Sequence, residues 1–136
     1  MLTKGDDFPI HQKPSPLAEV GSSRNFYDRY FFNGYSHEDE IFFGAVLCVY
    51  PNLNIMDAAF TIAHKGIQHN VRASRILNLE RLDTVVGPIQ VKVIEPLQKL
   101  QVLVNDKDSG INVDITFDGF TEVLQEPQTY LYDGPR

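Results

Sequence analysis

Cysteine is all but missing from this chain: Cys48 is the only one in 136 residues. An intramolecular disulfide is therefore impossible, and a thiolate-built zinc site is excluded. A lone thiol fits a reducing compartment, so a cytoplasmic location is the expectation. Cys48 sits in Phe42-Phe43-Gly44-Ala45-Val46-Leu47-Cys48-Val49-Tyr50, which predicts a small buried hydrophobe rather than a reactive nucleophile. The first residues, Met1 to Asp7, lack the apolar core of a signal peptide. No apolar run approaches the roughly 18 residues of a membrane-spanning helix. Basic clusters are lacking too. Twelve basic against eighteen acidic residues leave a net charge of −6, which works against non-specific binding to nucleic acid or anionic lipid. There is no glycine-rich phosphate loop, no G-x-S-x-G and no supported Cys–His nucleophile pair. The run from Asp106 to Gly110 lacks the length and the glutamate of a calcium loop and reads as a hairpin turn.

What is present is a soluble-domain composition with a repeat of two. Hydrophobic residues make up 43% and charged residues 22%, and the length suits one domain with a real core. Ile111, Val113, Ile115 and Phe117 alternate with Asn112, Asp114, Thr116 and Asp118, the mark of a strand with one dry face. Ile89, Val91 and Val93 alternate likewise, as do Leu100, Val102 and Val104. Ile41 to Tyr50 is apolar on both parities, as in a strand covered on both sides.

One stretch is ambiguous. Asn54 to Gly66 carries a helix N-cap, an acid at the third position, several alanines and a closing glycine. Its neighbours on both sides are strands, and sequential strands tend to pair, so a strand is the expectation here. The runs then sum to about eight strands, near 28–35, 40–50, 54–64, 67–77, 81–86, 88–95, 99–105 and 111–120. That pattern predicts an all-β fold: an antiparallel, lipocalin-like barrel or strongly curved sheet. Residues 1–24, broken by Pro9, Pro14 and Pro16, read as an extended arm before a domain spanning 25–136. The turn-like tail from Glu126 leaves two readings open, the first half of a two-domain protein or a short natural chain.

Three segments carry a family likeness: Phe26-Tyr27-Asp28-Arg29-Tyr30-Phe31-Phe32-Asn33-Gly34-Tyr35, then Tyr50-Pro51-Asn52-Leu53-Asn54-Ile55-Met56-Asp57-Ala58-Ala59-Phe60, then Gln68-His69 with Ala73-Ser74-Arg75. Together they resemble the N-terminal domain of the AttH-like proteins related to bacterial carotenoid hydratase (hydroxyneurosporene synthase), from about residue 24 onward. The resemblance implies two lipocalin-like barrels packed together around an apolar cavity. It implies binding of an apolar small molecule, isoprenoid, polyketide or lipid-like. A hydratase acting on an isoprenoid-like double bond is the enzymatic alternative. The second barrel is missing from this chain, so a second barrel domain or a homo-dimer is the implied partner.

Asp57 is the leading candidate for chemistry. On a strand it shares a face with Ile55, Ala59 and Ala63, where desolvation would raise its pKa and fit it to donate a proton. The plainer role is a carboxylate satisfied by Arg29, Arg72 or Arg75. His69, on the parity of Val71 and Ala73, is a candidate acid, base or ligand donor, or simply a half-buried histidine. Tyr27, Tyr30 and Tyr35 with Phe32 could line a ligand site and steady a cation through their faces, Tyr35 sitting nearest the chemistry; the alternative is an aromatic core plug. Asn33 and Asn54 offer ligand hydrogen bonds or turn geometry. Arg75 falls on the Val71 and Ala73 parity, which predicts an inward guanidinium paired with Asp57 or with an acidic ligand. His11 and His37 sit in polar segments, His64 and His69 merely flank a turn, and neither a metal nor a cofactor is expected. A third reading of the whole is a structural or interaction domain with a solid core.

Overall fold

The computed structural model describes residues 3–8, 24–78 and 82–125. Eight strands follow a short 3-10 helix, Lys4–Asp7: β1 Asp28–Ser36, β2 Ile41–Tyr50, β3 Ile55–His64, β4 Ile67–Ile76, β5 Val85–Val86, β6 Ile89–Glu95, β7 Lys99–Asp106 and β8 Ile111–Asp118. They form two antiparallel four-stranded meanders, β1-β2-β3-β4 (the N-sheet) and β5-β6-β7-β8 (the C-sheet). The all-β expectation holds, strand by strand. The barrel part of it resolves as two separate sheets, and no ladder among the described residues joins one to the other.

Asn54–Gly66 is a strand and its turn. Asn54 has φ 56°, so it closes the Pro51–Asn54 turn rather than capping a helix. Lys65 and Gly66 have φ 49° and 77°, the pair of positive values that a two-residue hairpin turn of right-handed twist demands. That turn locks β3 to β4 from His64↔Ile67 through to Ile55↔Ile76. A helix would have forfeited ladders on both edges of β3, which lies between β2 and β4.

The two sheets pack through their large-residue faces. The N-sheet contributes Phe32, Leu47, Val49, Met56, Phe60 and Val71, and the C-sheet Val86, Ile89, Val91, Val102 and Val104, all buried. Phe117 bridges the sheets, with its ring 4.8 Å from Phe32 and 6.1 Å from Phe43. The outer face of the C-sheet is largely polar, as the alternation in β8 predicts, with Val85 and Leu103 among its members: Gln101 donates to Asp114 (2.7 Å) and Lys99 pairs with Asp118 (2.7 Å). The helix at Lys4–Asp7 sits against one end of the sandwich. There Tyr30 donates its hydroxyl proton to the Asp7 carbonyl, and the Leu97 N–H donates to the Asp7 carboxylate. The remainder of the expected arm (residues 1–2 and 9–23, His11 among them) and the tail from 126 lie outside the described residues.

Where β5 turns into β6, Gly87 has φ 56° and a Cβ there would lie 2.8 Å from the Ala73 Cβ on β4. Strain and clash act together, so Gly87→Ala is expected to cost about 1–3 kcal/mol in a urea melt. Gly110→Ala shares the strained φ, 73°, but meets open space, and should cost less.

Candidate functional site

The candidate residues divide between the two faces of the N-sheet. Strand pairing puts Arg29, Cys48, Asp57 and Ser74 in one row across β1–β4, and Phe31, Val46, Ala59 and Arg72 in the next. Both rows point away from the core. Asp57 therefore does not project into the sandwich. It stands half-buried on the outer face of the N-sheet, in an open depression of about 510 Å³ lined by Val46, Cys48, Tyr50, Asp57, Ala59 and Arg72.

The chemistry of this depression is a short polar chain on an apolar floor. Burial pushes the Asp57 carboxyl above its ordinary value, while a hydrogen bond from the Cys48 thiol pulls it partway back. Cys48 is itself raised, first by burial and then by the Asp57 charge, against the Tyr50 hydroxyl and the Arg29 charge, which lower it. Tyr50 is pushed up to about 12, mainly by burial and by its bond to Cys48. All three groups hold their protons more tightly than in water. At 7% exposure Cys48 is a buried thiol, as its apolar setting predicted.

The pH dependence follows in sign. Asp57 has a folded pKa above its unfolded one, so its contribution is present below the ordinary 3.8 and is lost as pH rises through the folded value. The charged or titratable groups facing it are Arg29 on β1, Cys48 and Tyr50 on β2, and Arg72 on β4. Asp57→Asn should therefore gain stability relative to wild type as pH climbs from 3.5 to 7, read by urea melts of dilute protein. A gap that stayed constant over that range would remove the desolvated carboxyl from this site.

The other candidates scatter. His69 lies on β4 opposite Ile62, on the face opposite to Asp57, and is exposed. Tyr35 is on the outer face, 69% exposed, its ring edge-on to His37 at 5.0 Å. Asn33 is exposed on the same face, and Asn54 is a turn residue whose carbonyl accepts from Leu77 N–H (2.9 Å). Tyr27 packs against Tyr50 (5.9 Å), with the Arg29 guanidinium 5.6 Å from the Tyr27 ring and 5.9 Å from that of Phe31. Phe32 is core, and Tyr30, stacked 6.2 Å from it, has its hydroxyl held far above the ordinary value by burial and by the charges of Asp28 and Asp7.

The expected Arg75–Asp57 pair is corrected: the two side chains leave opposite faces of the N-sheet. Arg75 instead reaches nearby backbone of its own chain, donating to the carbonyls of Val85 (2.7 Å), Ile76 (2.9 Å) and Leu77 (3.2 Å) and to the Asp83 carbonyl, with the Asp83 carboxylate at 3.6 Å. Among the described residues no group of three His, Cys, Asp or Glu is placed to hold a metal ion.

Arg72 is among the arginines expected near Asp57, but the sequence pattern missed Cys48 and Tyr50 as companions of that carboxyl. Hairpin arithmetic could have found them. A four-residue turn at Pro51–Asn54 pairs Tyr50 with Ile55 and so Cys48 with Asp57.

Fold and site together define an all-β, two-sheet domain with a buried apolar core and large apolar side chains exposed on the outer face of the N-sheet. The chain belongs to a family of unknown function, DUF8625, which it matches over residues 2–136. No curated protein and no solved structure matches it. No helix among the described residues is long and apolar enough to cross a membrane.

Proposed function

We propose that this chain is an interaction domain whose working surface is the outer face of the N-sheet. The observation that carries this reading is the asymmetry of the two outer faces. Exposed rings and aliphatic chains crowd the N-sheet: Phe31 (61% exposed), Tyr35 (69%), Phe42 (49%) and Ile76 (63%), with Tyr27 and Ile55 beside them. The corresponding face of the C-sheet carries mainly Gln, Asn, Asp, Lys and Thr, with Val85 and Leu103 its aliphatic members. A contiguous apolar face of this size on a soluble domain marks a surface that is covered in use. Its fitting partner is a flat protein surface, itself apolar, with charges to meet Arg29, Asp57 and Arg72. The burial of Leu47, Val49, Met56, Phe60, Val102 and Val104 between the sheets favours this over ligand storage inside a barrel. A reducing compartment such as the cytoplasm suits the buried free thiol.

Radical footprinting in the source cells tests it, with Phe120, 97% exposed, as an internal reference of the same chemistry. Phe31 and Phe42 should react several-fold less, relative to Phe120, than their exposure in the isolated chain implies. Reactivity in proportion to that exposure would overturn the reading.

A second reading has one specific support, the desolvated Asp57 carboxyl. It keeps the AttH-like expectation in altered form: an acid that protonates an apolar, isoprenoid-like substrate laid in the outer depression instead of inside a barrel. Water addition to a polyene that survives in Asp57→Asn would sink it.

A further inference from the structure

We propose that the partner covering the outer face of the N-sheet is a second copy of this chain, stacked face to face about a two-fold axis running along β2. The proposal rests on the interaction reading above and deepens it.

The register carries the inference. Four rows cross the outer face: Arg29–Cys48–Asp57–Ser74, Phe31–Val46–Ala59–Arg72, Asn33–Gly44–Thr61–Asn70 and Tyr35–Phe42–Ala63–Gln68. β1 and β3 flank β2 at equal distance on its two sides. A half-turn about a line along β2 therefore lays β1 of one copy over β3 of the other, row on row. The encounters between β1 and β3 are complementary, while β2 meets β2 of the other copy like on like and β4 stands outside the overlap. The Arg29 guanidinium meets the Asp57 carboxylate. The Phe31 ring lies over Ala59, Asn33 over Thr61, and the Tyr35 ring over Ala63. Large groups stand on one flank and small ones on the other, at matching heights, and the cation and the anion occupy the same row. Symmetry repeats each contact, as an isologous interface requires.

Size and chemistry agree. With the axis along β2 three strands overlap, so at about 4.8 Å spacing and some ten residues at about 3.4 Å rise each copy presents roughly 490 Å² and the pair buries roughly 1,000 Å², at the lower limit of specific interfaces. Sheets stack about 10 Å apart and aligned within about 30°, which keeps the central rows in contact while the corners splay. Arg29 already lies within 6 Å of two rings on this face, so little of its freedom remains to be lost. The stack also sets a guanidinium directly opposite the lifted Asp57 carboxyl, where its own row holds Arg29 two strands away.

Charge exchange between copies tests the register. The wild-type full chain should sediment at twice the chain mass at micromolar concentration. Arg29→Asp alone puts two carboxylates together on both sides of the axis, and Asp57→Arg alone puts two guanidiniums together. Each should raise the dimer dissociation constant by roughly a hundredfold or more. An equimolar mixture of the two variants restores opposite charges at both contacts in a mixed pair, so the mixture should recover the dimer that neither variant forms. Phe31→Glu mixed with Ala59→Lys applies the same logic one row away, and replaces the first pair should Asp57→Arg fail to fold.

A wild-type chain that stays monomeric at several hundred micromolar overturns the proposal. So does a dimer indifferent to these substitutions, which would point to pairing at the strand edges. So does loss in the single variants without recovery on mixing. A monomeric chain whose Phe31 is nonetheless shielded in cells sinks the second copy alone and leaves the interaction reading standing; an unshielded face sinks both.

Discussion

Phe60→Ala is expected to lose about 3–5 kcal/mol of folding stability, the range for deleting a buried ring whose site cannot fully collapse. Phe60 is 1% exposed at the centre of β3, and its ring lies 6.4 Å from that of Phe43 in the N-sheet. Phe43 in turn touches Phe117 of the C-sheet, 6.1 Å away, so the deleted ring belongs to the stack that joins the two sheets. A domain of this size stands only about 5–15 kcal/mol above its unfolded state, so the variant should sit near its midpoint at modest urea. Phe120→Ala removes the same ring at 97% exposure and should move stability by less than about 0.5 kcal/mol. Equal losses at the two positions would mean that the core is elsewhere. The same pair of variants also speaks to function. A hollow β-domain tolerates a lost interior ring better than a filled one, because there is less surrounding structure to fail to collapse.

How far such features can be read from the sequence differs between the sheets. The C-sheet is legible: one parity of β6, β7 and β8 is mostly aliphatic and the other, apart from Ile94 and Leu103, polar, so the buried face announces itself. The N-sheet is legible as strands but not as faces. Both parities of β2 are apolar, and Asp57 shares its parity with Ile55, Ala59 and Ala63, which reads as dry. The structure puts the other parity inside: Met56, Ala58, Phe60 and Ile62. Volume is the discriminating signal. The inward set of β3 carries Met, Phe and Ile and fills a core at crystal-like density, whereas two alanines and a threonine cannot. Two dry parities on one sheet have a physical meaning of their own. One is needed for the sandwich, and the other is available for something outside it. The N-cap of Asn54 misleads for a related reason: a residue that tolerates positive φ serves a turn as well as a helix start, and the paired strands decide which.

The second large effect is expected at Arg75. Period-two counting places it on the inward parity, and that much is right; what it meets there is backbone. Its guanidinium donates to the carbonyls of Val85, Ile76, Leu77 and Asp83, tying the end of β4 to the entry of β5 and so one sheet to the other. A planar fork with five spread donors can serve several separated carbonyls at once, whereas an ammonium has three donors on a single atom and reaches fewer. Arg75→Ala should cost about 2–4 kcal/mol, the loss of several charge-assisted bonds offset by water reaching the more open carbonyls. Arg75→Lys should recover less than half of that. The Asp83 carboxylate, 3.6 Å away and largely exposed, adds little, so Asp83→Asn should cost well under about 1 kcal/mol. Salt separates the two contributions: moving from 50 mM to 500 mM should leave the Arg75→Ala loss nearly unchanged, because carbonyl dipoles and not a surface ion pair hold the guanidinium. Amide exchange adds a spatial readout. The Val85 and Val86 amides should open faster in Arg75→Ala while those of β2 and β3 keep their protection, since the clasp closes one edge of the sandwich and the central strands do not depend on it. Uniform loss of protection across both sheets would make Arg75 part of the global core instead of a clasp between them.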